Sequence, residues 1–128
     1  MIVQQGFQNV FSYAAGVENW VRNALPYPLH YTFVQDFAIA DWYGRDGVED
    51  TYRRVKDAWL SDYKAFTEVA VSLNMLAWAN DALRSQGYDG RDEFVSLYSD
   101  LYYRCRDDFY EVYSDNEEAC QHFFEMTD

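Results

Sequence analysis

Apolar and polar positions alternate with helical periodicity over most of this chain, most strongly in residues 65–83. There Phe66, Val69, Ala70, Leu73, Leu76 and Ala77 recur at i, i+3, i+4 and i+7, the spacing of one helix face. Val71, Met75, Trp78 and Ala82 form a second stripe beside the first, and neither Gly nor Pro interrupts it. A helix apolar over most of its circumference belongs in the middle of a packed structure, so this segment is expected to be the central helix. A second clean stripe, Phe94, Leu97, Tyr98, Leu101, Cys105, Phe109 and Val112, predicts a helix over residues 91–113. Gly87, Tyr88, Asp89 and Gly90 supply the turn between the two.

Two further helices flank this pair. Val48, Thr51, Tyr52, Val55, Trp59 and Leu60 give an inner face to residues 46–60, and Asp46 with Glu49 has the spacing of a capping box. Ser114 with Glu117 repeats that spacing and predicts a last helix over 114–126, with Ala119, Cys120, Phe123 and Phe124 inward. Ser61 and Asp62 either continue the earlier helix or cap the central one. Nearer the start, Val3, Phe7, Val10, Phe11 and Ala14, then Val17, Trp20, Val21 and Leu25, suggest one or two short helices separated by Gly16. Pro26 and Pro28 end them, because the residue before proline avoids helical backbone. Residues 30–34 (HYTFV) have β character, residues 35–43 read as a short helix, and Gly44 stops it. The expected fold is all-α. A compact bundle of about four main helices (46–60, 62–86, 91–113, 114–126) is joined by short N-terminal helices, and residues 30–34 form either extended coil or, if residues near the N-terminus pair with them, one short β segment. Residues 1–28 would form an arm and residues 29–128 a single domain. Short turns favour antiparallel neighbours.

The 128 residues suit one domain, on the usual scale of ~100–200 residues, with a core large enough to need no metal or disulfide. Aromatic residues make up 20% of them, which either fill the core and its rim or also mark a partner-binding surface. Charge narrows the choice of partner. The net charge of −12 argues against direct binding of nucleic acid or of anionic membranes, both of which reward Lys and Arg. Residues 89–128 hold twelve acids against three bases, Arg91, Arg104 and Arg106, whereas residues 1–30 hold only Glu18 and Arg22. On the other side of the helix of residues 91–113 from the core stripe, Glu93, Asp100, Asp107 and Glu111 line up at helical spacing with Arg104 among them; Asp108 joins the row, and Asp115, Glu117 and Glu118 continue it. Such a row is either a solvated helix face or a surface that imitates duplex phosphates and occupies the basic groove of a nucleic-acid-binding protein. Arg53, Arg54 and Lys56 form a small outward basic cluster, in which Glu49 with Arg53 and Asp50 with Arg54 are i, i+4 pairs.

Chemistry is sparse by comparison. The candidate metal ligands are His30, Cys105, Cys120 and His122, but Cys120 and His122 are too close together for structural zinc. Glu118 and His122 share a helix face with no matching second pair, so no metal or cofactor is expected. Cys105 and Cys120 fall on apolar stripes, which predicts reduced, buried and inert thiols, as in a cytosolic protein. No nucleophile elbow, phosphate loop or dinucleotide fingerprint is present. The N-terminus lacks the basic and apolar regions of a signal peptide, and Glu68, Asn74, Asn80 and Asp81 interrupt the central helix too often for a membrane span.

The stretches YTF at 31–33, DFAIADWYG at 36–44, DTYRR at 50–54 and DYK at 62–64 resemble a family of small, acidic, uncharacterised proteins of bacterial mobile elements such as conjugative transposons. Trp59, Thr67, Glu68, Leu73, Asn74 and Trp78 extend the resemblance, as does the ending Phe123, Phe124, Thr127, Asp128. It covers residues 31–83 and the tail, and it carries no catalytic residues with it. What it implies is a setting in which small accessory proteins counter host defences. Together with the charge distribution, it leads to the expectation of a cytoplasmic, non-enzymatic interaction protein. That protein would be a nucleic-acid mimic that inhibits a defence nuclease, of anti-CRISPR or anti-restriction type. The alternative is a structural or regulatory module that self-associates, as a homodimer, through the N-terminal arm.

Overall fold

The computed structural model describes residues 29–127, all but a few of them in helices. The element order is α1 (Leu29–Ala40), a 3-10 turn (Asp41–Tyr43), α2 (Gly44–Trp59), α3 (Tyr63–Ser85), α4 (Arg91–Tyr113) and α5 (Glu117–Thr127). The fold is an all-α bundle. No strand occurs among the described residues; the β-like residues 30–34 lie inside α1. Phe33 and Val34 are buried there, and packing of a helix face against the bundle outweighs their intrinsic β preference. The short helices expected within residues 1–25, and the arm and dimer contact assigned to residues 1–28, lie outside the described residues.

α3 sits in the centre. Every residue from Ala65 to Leu73 is buried, as are Leu76, Ala77, Ala79 and Asn80. α4 runs antiparallel along α3: Arg84 pairs with Asp92 at one end (2.8 Å), and Tyr63 meets Tyr113 edge-on at the other (6.0 Å). α5 folds back over the far end, where Phe123 stacks on Phe109 at 4.3 Å. α1 and α2 form a second antiparallel pair, with Phe33 of α1 against Trp59 of α2 at 6.0 Å. This pair is joined to the first by Tyr98, buried in α4, which donates to the carbonyl of Phe37 (3.0 Å). A phenol can bury its ring and still satisfy its hydroxyl on a neighbouring helix. Tyr113, whose hydroxyl donates to the Leu60 carbonyl (2.5 Å), does the same at the opposite end.

The helix ends explain where the expected boundaries moved. Asp62 is the N-cap of α3, accepting from the Ala65 amide (3.2 Å), so the chain breaks between α2 and α3 at residues 60–62. The two inferred capping boxes do not cap. α2 already begins at Gly44, which places Asp46 inside its first turn. Asn116 caps α5 through the Ala119 amide (3.0 Å), while Ser114 closes α4. Gly44 does punctuate the chain, at φ 83°, between the 3-10 turn and α2. Val112 and Phe124, expected inside, are 53% and 60% exposed. Near the end of α4 the covered side turns towards α5, so Tyr110 and Tyr113 pack against Phe109 and Phe123 in place of Val112.

Gly47 marks the tightest approach. A Cβ there would lie 2.8 Å from both the Ala40 carbonyl oxygen and the Tyr43 Cβ. Replacing Gly by Ala inside a helix normally stabilises by ~1 kcal/mol. Here the new methyl meets backbone, and overpacking of that kind costs about 1–3 kcal/mol. Gly47→Ala is therefore expected to lower the urea midpoint of unfolding; an unchanged or raised midpoint would show that α2 can shift freely against the 3-10 turn.

Candidate functional site

The acidic row is real as a line on α4, but its members do not share one environment. Glu93, Asp100, Asp107 and Glu111 are exposed and follow one another at seven, seven and four residues, spanning ~27 Å of helix. α2 lies along one edge of this line. Its residues Arg45, Glu49 and Lys56, themselves at helical spacing, reach Glu93 (3.7 Å), Arg104 (3.6 Å) and Asp108 (3.3 Å). Lys56 thus turns inward to α4, while Arg53 and Arg54 stay exposed and both pair with Asp50 (3.4 Å each). The expected Glu49–Arg53 pair is replaced by the contact of Glu49 with Arg104, because α4 brings a guanidinium to that edge.

Asp108 is the structural member of the row. Its side chain is 15% exposed, and its Oδ2 accepts both the Tyr52 hydroxyl (2.6 Å) and the Lys56 ammonium (3.3 Å). Tyr52 is itself buried between α2 and α4, and burial pushes its phenol well above the ordinary 10.0, with the Asp108 charge and hydrogen bond adding to the effect. Cys105 lies in the same pocket, fully buried; desolvation raises its thiol and leaves it a poor nucleophile. Cys120 is half-buried and donates to the Tyr113 carbonyl (3.0 Å).

The α5 end differs again. Glu117 and Glu118 occupy the first turn of α5, where carboxylates face the positive end of the helix dipole. Glu118 also accepts the Tyr63 hydroxyl (3.2 Å), and His122 lies edge-on against the same Tyr63 ring (5.7 Å). Of the eight acids expected to form one face, Glu93, Asp108 and Glu118 are thus engaged within the fold. Asp100, Asp107, Glu111, Asp115 and Glu117 make no hydrogen bond or ion pair among the described residues. Among those residues no group of three or more His, Cys, Asp or Glu could hold a metal ion, and no helix is long and apolar enough to cross a membrane.

A second surface went unread in the sequence. Along the side of α2 away from α4, Gly47, Thr51, Val55 and Ala58 form the floor of a groove of about 570 Å³ between α2 and α1. Ile39 and Ala40 complete its apolar wall, and Tyr43 and Trp59 stand at its ends, 74% and 42% exposed. Asp36 and Asp50 supply its carboxylates and Arg54 its cation. The sequence assigns Thr51, Val55 and Trp59 to the inner face of α2 and gives no sign that they border a groove with α1. Comparison with family models, with curated proteins and with solved structures finds no match to this chain. Function is therefore argued from the two surfaces themselves.

Two outcomes test this division of the acids. Asp108→Ala strands the buried Tyr52 hydroxyl and should cost about 1–3 kcal/mol by urea denaturation. Asp100→Ala and Asp107→Ala should stay within ~0.5 kcal/mol of the parent. Alkaline pH probes the same contact. The folded Tyr52 keeps its proton above pH 10, where the unfolded chain loses it, so its contribution is complete below about 10 and falls as pH rises beyond that. Unfolding midpoints at increasing pH should decline less steeply for Tyr52→Phe than for the parent; parallel declines would remove Tyr52 from that account.

Proposed function

We propose that this chain is a non-enzymatic, cytoplasmic interaction protein that docks its acidic flank on a basic, nucleic-acid-binding protein and so competes with that protein's nucleic acid. The observation that carries the reading is the run of exposed acids, Asp100, Asp107, Glu111, Asp115 and Glu117, on the outer flank of α4 and the start of α5, which make no hydrogen bond or ion pair among the described residues. Charge density sets the kind of mimicry. One strand of duplex DNA presents a phosphate every ~3.4 Å, hence ~8 over the ~27 Å from Glu93 to Glu111. The α4 line offers four carboxylates over that length, one of them facing Arg45. This density favours electrostatic complementarity to a basic groove over a phosphate-for-phosphate copy. It accelerates encounter and makes the complex sensitive to salt. A role against a defence nuclease, in a mobile-element setting, is the biological form this mechanism would take.

The test is a variant in which Glu93→Gln, Asp100→Asn, Asp107→Asn and Glu111→Gln are combined. It should keep the helical circular-dichroism spectrum of the parent. Captured partners from a bacterial host lysate, compared at ~0.05 and ~0.5 M salt, should be basic nucleic-acid-binding proteins that are lost at high salt and lost with the variant. Capture that is indifferent to both changes would end the proposal.

A further inference from the structure

We propose that the groove between α1 and α2 is a second docking site, and that its occupant is an amphipathic helix with basic residues, carried by a protein partner. The shape comes first. From Gly47 to Trp59 the α2 side of the groove runs ~18 Å in steps of three and four residues, so it is an open trough the length of several helical turns. A trough between two helices accepts the side-chain ridge of a third, and peptides recognised this way anchor residues at i, i+3 or i+4, and i+7.

The charge selects the sign of the occupant. Among the described residues that line the groove Arg54 is the cation; it pairs with Asp50 (3.4 Å), which Arg53 also reaches (3.4 Å), so of the two lining carboxylates Asp36 is the one without an ion pair. Asp36 makes no hydrogen bond or ion pair among the described residues. Partial desolvation holds its carboxyl above the usual 3.8, with Arg54 opposing too weakly to restore it. A Lys or Arg from a docked helix would give that carboxylate a counter-charge in direct contact, while apolar residues beside it cover Ile39, Val55 and Ala58. The aromatic ends add anchors, since Trp, Tyr and Arg dominate binding energy at interfaces, and Trp59, Tyr43 and Arg54 are all within reach of one ligand. This site is separate from the acidic flank of α4 and does not rest on it.

The probe is a helical peptide of about 18 residues built from Leu and Lys on opposite faces, with a shuffled peptide of identical composition as control. On the full-length chain, titration calorimetry should show binding of the amphipathic peptide and little of the shuffled one, although both carry the same charge. The Trp emission change should vanish in Trp59→Phe. Ala58→Trp fills the floor without altering charge, and Asp36→Asn removes the unpaired carboxylate; each should weaken binding about tenfold. The combined Asp100→Asn, Asp107→Asn and Glu111→Gln variant should stay within about twofold at ~0.15 M salt. Equal binding of the shuffled peptide, no binding of either, or affinity unmoved by both Ala58→Trp and Asp36→Asn would overturn the proposal. So would light scattering that finds a dimer broken by Ala58→Trp, since the occupant would then be a second copy of the chain.

Discussion

From residue 65 to residue 73 α3 has no solvent face, and much of the structure answers to that constraint. With residues 65–73 buried on every side, each polar group there must find a partner inside the protein or be desolvated at a cost of about 1–3 kcal/mol. The helix meets part of this demand from its own backbone. Thr67 donates to the Tyr63 carbonyl (2.7 Å), Ser72 to the Glu68 carbonyl (2.8 Å) and, further along, Asn80 to the Leu76 carbonyl (2.8 Å). Asn80 then offers its oxygen to Arg91 (3.0 Å), whose guanidinium also reaches Asp41 (3.2 Å) and lies over the Phe94 ring (4.4 Å). One polar side chain of the central helix therefore sets the start of α4 and the turn after α1 against each other. Burial of α3 organises its neighbours through such contacts as well as through apolar area.

The same economy governs the tyrosines. Tyr52, Tyr63, Tyr98 and Tyr113 each send a hydroxyl to an acceptor on another helix or its end, at 2.5–3.2 Å. Each net hydrogen bond contributes only about 0.5–1.5 kcal/mol, but each also fixes the register of two helices whose apolar faces alone would tolerate sliding. Part of the tyrosine content is thus a way of placing hydrogen bonds between helices. Among the described aromatic residues Trp42, Tyr43, Trp59, Trp78, Tyr88, Tyr103 and Phe124 stay exposed.

The sequence made the helices legible where periodicity was long. α4 spans residues 91–113 as its stripe implied, and α3 exceeds the 65–83 pattern by two residues at each end. It was least legible where one local signal competed with packing. The β-branched and aromatic residues 30–34 fold as helix because a buried face was on offer. Two Ser/Asp-to-Glu spacings gave the sign of a cap while Tyr43 and Asn116 took the positions. For the candidate surface, the sequence showed that Glu93, Asp100, Asp107 and Glu111 share a line. It could not show that α2 would lie along it and engage Glu93 and Asp108, because cross-helix pairs depend on packing angles that no spacing encodes. The α1–α2 groove was invisible for the same reason: a groove belongs to two helices, and neither one's pattern contains it.

α2 links the two surfaces. One edge of it carries Arg45, Glu49, Tyr52 and Lys56, which meet α4; the opposite edge carries Gly47, Asp50, Arg54 and Ala58, which face the groove. Along the whole of α2 Val48, Thr51, Tyr52 and Val55 are the buried residues, a thin anchorage compared with that of α3. Exposed ion pairs such as Arg45–Glu93 add about 0–1 kcal/mol apiece and weaken with salt. Asp108, with its two partners and low exposure, is therefore the main polar attachment of α2 to the body of the bundle. A partner that drew Glu93 and Asp108 towards its own basic residues would loosen the helix that forms one wall of the groove. A helix seated in the groove would in turn hold α2 against α1 and alter its reach to α4. Any ligand that binds one position of α2 better than another must couple the two sites by that difference in affinity, and the coupling is reciprocal.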